Sequence, residues 1–434
     1  APDHDRLRTL IERGSRLVPR MRHRVRGNPL SLVPPRWEVD PYFDLDFHLR
    51  FVQAHDGLRS VLDAAQPIAM QSFDPARPQW EITVIEGLDD DRAALVVKIH
   101  HAITDGVGAV QMGLVMFELE REPADAQPMP DPPPVHIMSP MERLADGIAH
   151  EAQRQRTSAT KLLGAAQGAI GAVRSSPPAA ARRATEIAAS VARMLSPATA
   201  PLSPIMRGRS LSAHFEGLTV ALPDAKAAAK RAGGTLNDAF IAATAEGFAR
   251  YHRRHEAPVD FLRMTMPISV RPDGDEEVGG NEWAPARFRI PLTISDPVER
   301  MRALHDLVAE QRGEPALALV EPMAGVLNRL PRNAATAVFG SMLKGVDLIA
   351  SNVPGAPIPI YTAGARIDAM YALGPLSGAA ANLTLLSYLD QIHIGVNLDP
   401  AAVPDPDVLL DCLVEGWADI GAIATRTSSA RGDA

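Results

Sequence analysis

One cysteine, Cys412, serves the whole 434-residue chain, so no intramolecular disulfide can form and a reducing, cytoplasmic setting is expected. The same scarcity leaves a zinc site without thiolate ligands near the histidines. Long apolar runs are missing too: none approaches the roughly 20 residues that cross a bilayer. No basic stretch followed by an apolar segment opens the chain as a secretory signal would, and it starts at Ala1 without an initiator methionine. The expectation is a soluble protein, or one peripheral to a membrane. Positive charge is in deficit: 44 Lys and Arg stand against 52 Asp and Glu, a formal net charge of -8. That balance gives no electrostatic ground for nucleic acid as a partner. No short-period repeat is visible. No G-x-S-x-G elbow supplies a serine nucleophile, so a covalent acyl-enzyme has no obvious carrier.

What is there is ordinary in bulk, with 46% hydrophobic and 22% charged residues, the balance of a folded chain. The length exceeds what one compact core accommodates and suggests two domains. Leu7, Leu10, Ile11 and Leu17 fall near helical spacing until Pro19 intervenes. Phe43 to Phe51 alternates polar and apolar residues, as a half-buried strand does, and Ile82 to Ile85 is β-branched until Gly87. The run AALVVKI, ending at Ile99, suits a strand buried on both faces. Val107, Val110, Leu114 and Phe117 then repeat at helical spacing. A proline-rich stretch, EPADAQPMPDPPP, follows as an extended linker. Met141 to Leu195 is alanine-rich and helical, broken by SSPP at Ser175 to Pro178. Leu163, Ala166, Ile170 and Val173 make one apolar stripe, and Ile187, Val191 and Met194 another, with arginines on the remaining positions. From Leu211 onward strands and helices alternate again, including a helix begun by Asp296 and Pro297 and a strand pair within LTLLSYLDQIHIGVNLD.

The segment VVKIHHAITDGVGAV sets His100 and His101 at the junction of the apolar run and a loop, with Asp105 and Gly106 just beyond. Neighbouring side chains on an extended segment point to opposite faces, so the two rings cannot share one metal ion without distortion. Two satisfied histidines at a strand end are one reading. The more specific one is acid–base chemistry, in which a single imidazole takes a proton from a hydroxyl and returns it to a leaving group. Asp105 can act on the ring or hold the loop through an arginine, and Gly106 allows close backbone approach. Direct transfer in a ternary complex is simpler than a covalent route.

HHAITDG fits the HHxxxDG signature of the CoA-dependent acyltransferase superfamily, shared with peptide-synthetase condensation domains. Together with VPRMRHRV, WEVDPYFDLDFHLR, TLNDAFIAA, MPISVRP, ASNVPGAP and ANLTLLSYLDQIHIGVNLD, it resembles the bacterial wax ester synthase/acyl-CoA:diacylglycerol acyltransferase family. The resemblance covers nearly the whole chain outside the arginine-rich linker. It implies an α/β (α+β) fold of two chloramphenicol-acetyltransferase-like halves, a pseudo-dimer with a tunnel between them. The halves are placed at 1–125 and 206–434, with the linker and basic helices at 126–205. It implies His101 as general base, with His100 supporting the loop, Asp105 shaping it through Arg22 or Arg24, and Gly106 in the turn. Asn237 and Asp238 match the family's ND motif, as a substrate contact or a capped helix start. Asn382 is the candidate oxyanion donor. The implied reaction moves a fatty acyl group from acyl-CoA, a substrate and not a cofactor, to diacylglycerol or a long-chain alcohol, with no metal. The basic amphipathic helices would lie on a membrane or lipid-droplet surface, or pack as a lid.

Some features depart from the family pattern. Members usually open with a strand and a PLD-type segment ahead of where this chain starts, so the first half is expected to lack its first strand. PQW at Pro78 to Trp80 stands for PLW, and PLSP at Pro201 to Pro204 for a PLNG-like turn. A related condensation-type enzyme with another donor or acceptor, and a weakly active lipid-binding homologue, are the alternatives.

Overall fold

The computed structural model describes residues 1–27, 35–54, 57–103, 113, 116–123, 128–195, 198, 200–269, 283–314, 334, 340 and 345–425. Helix α1 (His4–Leu17) starts where the Asp3 carboxylate accepts the Arg6 N–H at 2.8 Å. It buries Leu7 and Ile11 and stops ahead of a single 3-10 turn, Pro19–Arg22. A two-stranded antiparallel ribbon follows, β1 (His23–Arg26) with β2 (Arg36–Val39).

The stretch expected as one strand from Phe43 to Phe51 is two elements. Asp44 caps a short helix α2 (Leu45–His48), its side chain accepting the Asp46 N–H at 3.0 Å, and only then does β3 (Leu49–Gln53) begin. A local Asx hydrogen bond overrides the period-2 pattern. Helix α3 (Gly57–Met70) leads to β4 (Trp80–Leu88) and β5 (Arg92–Ile99), which close a sheet of order β3-β4-β5, with β3 and β4 parallel and β4 and β5 antiparallel. The expectation that AALVVKI is buried on both faces is corrected: β5 is a half-exposed edge strand, and β4 is the buried one. Trp80, Ile82 and Val84 of β4 join Leu7, Ile11 and Met21 in the first core.

Helices α4 (Pro140–Ser175) and α5 (Pro177–Leu195) form a pair interrupted at Ser176, as the SSPP sequence requires. The first turns of α4 are tied to the ribbon: Arg143 reaches Glu38 at 3.7 Å, and Arg36 meets Asp146 at 2.6 Å.

The remainder is one six-stranded sheet with helices on one face. Its elements are β6 (His214–Ala221), α6 (Leu222–Ala232), α7 (Leu236–Arg254), β7 (Phe261–Ser269), β8 (Trp283–Pro291), α8 (Pro297–Arg312), β9 (Leu348–Val353), β10 (Tyr361–Thr362), β11 (Ala365–Arg366), β12 (Ala381–Tyr388), β13 (Gln391–Leu398) and α9 (Pro406–Thr425). The strand order is β6-β13-β12-β9-β7-β8, with β10 and β11 a separate short ribbon. Helix α6 ends on Gly233 at φ 80, a left-handed cap that glycine adopts without strain. Helix α8 begins at Asp296, whose carboxylate accepts two N–H groups, with Pro297 in the first turn. Leu383, Leu385, Ile392, Ile394 and Val396 face the helices and join Phe240, Phe248, Met301 and Leu413 in the second core. Fully burying each large apolar side chain contributes roughly 1.5–3 kcal/mol. Among these helices Arg300 of α8, 1% exposed, pairs with buried Glu246 of α7.

The opposite face carries polar groups between two smaller apolar clusters, one around Phe215 and one around Leu386 and Tyr388. In cross-strand register it carries Asn382 beside Asn397, Thr384 beside Gly395, and His393 beside Thr219. Residues 371–375 lie across it as a strap. Asn382 Nδ2 donates to the Pro375 carbonyl at 2.8 Å, Asn397 Nδ2 to that of Gly374 at 3.0 Å, and the Tyr371 and Thr219 hydroxyls meet at 2.8 Å. The two sheets are joined by α3, whose Leu62 and Ala65 pack on Phe215 and Val96 and whose Arg59 meets Glu216 at 2.5 Å. Glu118 also bridges to Tyr361 as an isolated antiparallel pair. No described helix is long and apolar enough to cross a membrane.

Candidate active site

The two histidines stand where β5 runs out. Its last pair sets Trp80 opposite Ile99, and the His100 N–H extends the ladder by donating to the Gln79 carbonyl at 2.9 Å. The chain then turns, because the Ile103 N–H returns to the His100 carbonyl at 2.9 Å and the Ile103 side chain is buried in the first core. His100 Nδ1 accepts the Ala102 N–H at 3.1 Å, which leaves the proton of the neutral ring on Nε2. Phe73 meets that ring edge-on, centroids 6.1 Å apart. The Lys98 ammonium sits 4.3 Å from the Phe73 centroid and donates to the Gln71 carbonyl at 2.6 Å; partial burial pushes its pKa down. His100 is thus built into the turn, and His101 follows on an exposed position.

Asp105 and Gly106 lie outside the described residues, as do Val107, Val110 and Leu114. The arginines named as partners of Asp105 have other contacts. Arg22 is 8% exposed, donates to Glu12 at 2.6 Å and to Ser15 Oγ at 3.0 Å, and covers the Phe43 ring at 4.2 Å. Arg24 pairs with Glu38 at 3.1 Å and stands 3.7 Å from Asp40, both carboxylates being buried. Arg20, two residues before Arg22, is the arginine of this segment that touches the motif among the described residues. It donates to the Ala102 carbonyl at 2.9 Å and lies 4.9 Å over the Trp37 ring.

The other motif residues sit elsewhere. Asp238 occupies the third position of α7, where its carboxylate accepts the Thr235 N–H at 2.7 Å, the Thr235 hydroxyl at 2.9 Å and His305 Nδ1 at 2.9 Å. That is a capping arrangement. Asn237 Nδ2 is buried without a hydrogen-bond partner. Asn382, 3% exposed, spends its amide N–H on Pro375 and its carbonyl on the Thr384 hydroxyl at 3.1 Å, as a strut of the strap. No hydrogen bond or ion pair joins these residues to the histidine turn among the described residues. Farther along the same face, opposite Leu386 in register, His393 is 3% exposed with Nε2 unpartnered, and burial lowers its pKa.

Arg20, Gln79, Phe73 and Lys98 escape a reading of the sequence. The only available sign was the arginine-rich segment PRMRHR, whose 3-10 turn sends Arg20 and Arg22 to different neighbours.

Comparison with known proteins bears on the whole chain. The profile of the wax ester synthase/diacylglycerol acyltransferase catalytic domain matches residues 1–240, and that of the WS/DGAT C-terminal domain matches residues 279–420. A putative diacylglycerol O-acyltransferase of Mycobacterium tuberculosis is 36% identical over 425 residues, covering 98% of this chain and 86% of the relative. Among solved structures, the wax ester synthase/diacylglycerol acyltransferase of Marinobacter aquaeolei superposes with a TM-score of 0.61 at 22% identity, covering 96% of this chain and 90% of that one. SgcC5 of Streptomyces globisporus superposes with a TM-score of 0.56 at 14% identity, over 98% and 90% of the two chains. The fold is therefore the mixed α/β, two-domain architecture that these structures share.

Proposed function

This chain belongs to the wax ester synthase/diacylglycerol acyltransferase family, and from that premise we propose that it transfers a fatty acyl group from acyl-CoA to the hydroxyl of diacylglycerol or a long-chain alcohol. The observation that carries the reading is the paired family match over a chain whose His100–His101 pair ends a strand in a tightly hydrogen-bonded turn. Residues 1–125 and 206–434 act as two acyltransferase halves with a substrate tunnel between them, and 126–205 connects them. Acyl-CoA is consumed as substrate.

His101 is the general base. Its imidazole accepts the proton of the acceptor hydroxyl while that oxygen attacks the thioester carbonyl, forming the C–O bond and a tetrahedral oxyanion. Collapse breaks the C–S bond, and the imidazolium returns the proton to the CoA sulfur. The products are an ester and free CoA thiol, and His101 ends as it began. Asp105 and Gly106 shape the loop. A substrate as apolar as these is supplied from a lipid surface, which helices α4 and α5 are suited to meet.

Acceptor-dependent release of CoA from palmitoyl-CoA, with hexadecanol and dioleoylglycerol assayed separately, tests the mechanism. His101→Ala is expected to lower the rate by roughly 10²–10⁴-fold. Release that ignores the acceptor, or that survives the substitution, refutes it.

A further inference from the structure

We propose that Arg20 is a positioning residue for the acyl-transfer step, clamping the peptide that follows His101 through the Ala102 carbonyl. The inference rests on the acyl-transfer reading above and concerns a residue outside the HHxxxDG motif.

Among the described residues, the turn around His101 is held by local and core contacts and by one from Arg20. Gln79 takes the His100 N–H, the His100 ring takes the Ala102 N–H, the His100 carbonyl takes the Ile103 N–H, and Ile103 is buried. The Ala102 carbonyl accepts from outside the turn, where Arg20 Nη1 donates to it at 2.9 Å. A guanidinium donating to a carbonyl makes a charge-assisted hydrogen bond with fixed direction.

Arg20 itself is carried on a rigid mount. The 3-10 turn places it beside Met21, which is 1% exposed and whose carbonyl accepts the Trp80 indole N–H at 2.7 Å. Trp80 in turn heads β4, the strand paired with β5, which ends one residue before His100. The guanidinium carbon lies over the Trp37 ring, 4.9 Å from its centroid, so its approach to Ala102 is limited from a second side. Ribbon, 3-10 turn and histidine loop thereby share one frame. Arg20 is exposed, and an exposed polar contact contributes little to global stability. A general base, by contrast, loses efficiency steeply when its ring is displaced by a fraction of an ångström to one ångström. The contact therefore matters chiefly for where His101 is held.

Arg20→Ala, Arg20→Lys and His101→Ala are compared with the wild-type full chain, using palmitoyl-CoA and hexadecanol or dioleoylglycerol, with thermal midpoints measured in parallel. Arg20→Ala is expected to lower kcat by about 10- to 100-fold, with KM for acyl-CoA within about twofold and the midpoint unchanged. Arg20→Lys, which keeps a cationic donor but not the forked guanidinium over Trp37, is expected to recover part of kcat. Wild-type kcat in Arg20→Ala, a loss confined to KM, or a Lys variant no better than the Ala variant overturns the inference. Should Arg20→Ala lower the midpoint, the Lys variant decides by the same criterion. Undiminished turnover in His101→Ala overturns the acyl-transfer reading itself and this inference with it, whereas loss in His101→Ala with none in Arg20→Ala removes only the role of Arg20.

Discussion

His48 shows how a single residue can set the acid limit of the fold. Its ring is fully buried, stacked on Trp80 at 4.4 Å and on Phe43 at 5.2 Å. Nδ1 donates to the Trp80 carbonyl at 2.7 Å, and Nε2 has no partner to receive a second proton. Burial, reinforced by the nearby Arg77 guanidinium, pushes its pKa down to about 4 against the opposing backbone hydrogen bond. In the unfolded chain the same ring titrates near 6.5. Between those values the unfolded state binds a proton that the fold refuses, so stability is intact above about 6.5 and falls as the pH drops towards 4. One such group contributes a slope of at most about 1.4 kcal/mol per pH unit. His252 and His393 are buried with lowered pKa values and act in the same direction. Urea midpoints measured from pH 7 to pH 5 should therefore fall, and His48→Asn should give a flatter dependence than wild type. An identical slope in the variant would remove His48 from this account.

Among the elements, the strap at residues 371–375 depends on an absent side chain. A Cβ at Gly395 would stand 2.1 Å from the Ala372 carbonyl oxygen, a backbone atom with little room to retreat. Gly395→Ala is expected to destabilise the fold by more than about 3 kcal/mol, the range of severe core lesions, or to lift the strap and expose its peptide bonds to protease. Gly421→Ala on α9 is the control, because a Cβ there meets nothing within 4 Å; it should be neutral or stabilising by up to about 1 kcal/mol. Equal effects of the two substitutions, read by chemical unfolding, would contradict the strap's close contact. The same scale explains what the sequence could and could not announce. Helix α8 and the β12–β13 pair were legible because an aspartate cap, proline at a first turn and apolar strand runs act locally. The Phe43–Phe51 alternation misled because Asp44 could satisfy a helix start within the same spacing. The histidine turn was legible through its motif. Its clamp was not, since Arg20, Arg22 and Arg24 look alike on paper and are sorted only by the ion pairs and rings that the ribbon brings near.

Taken as a whole the molecule is acidic, yet its charge is unevenly placed. Between Pro140 and Leu195 eight Lys and Arg face only four Asp and Glu, in a chain of net charge -8. Arg143 and Asp146 of that set are committed to the ribbon, so the excess lies farther along the helices. Arg174, Arg182 and Arg183 are exposed, and so are large apolar side chains: Met141 at 73%, Ile148 at 59% and Leu163 at 63%. Helix α4 is tied to the ribbon at its start and α5 to Glu314 through the buried Ser190 hydroxyl, and the basic and apolar groups exposed between those ties match the chemistry of an anionic lipid interface. A lid closed over the two halves would instead bury those apolar groups. Each basic side chain near an anionic surface contributes about 1 kcal/mol, and that attraction weakens as salt shortens the Debye length. Wild-type protein should therefore float with liposomes containing anionic lipid, and less so with neutral ones or in high salt. Reversing Arg174, Arg182 and Arg183 to Glu should reduce flotation by at least about 100-fold while leaving CoA release from detergent-dispersed substrates unchanged. Flotation indifferent to the three reversals would place the lipid contact elsewhere and return α4 and α5 to a packing role.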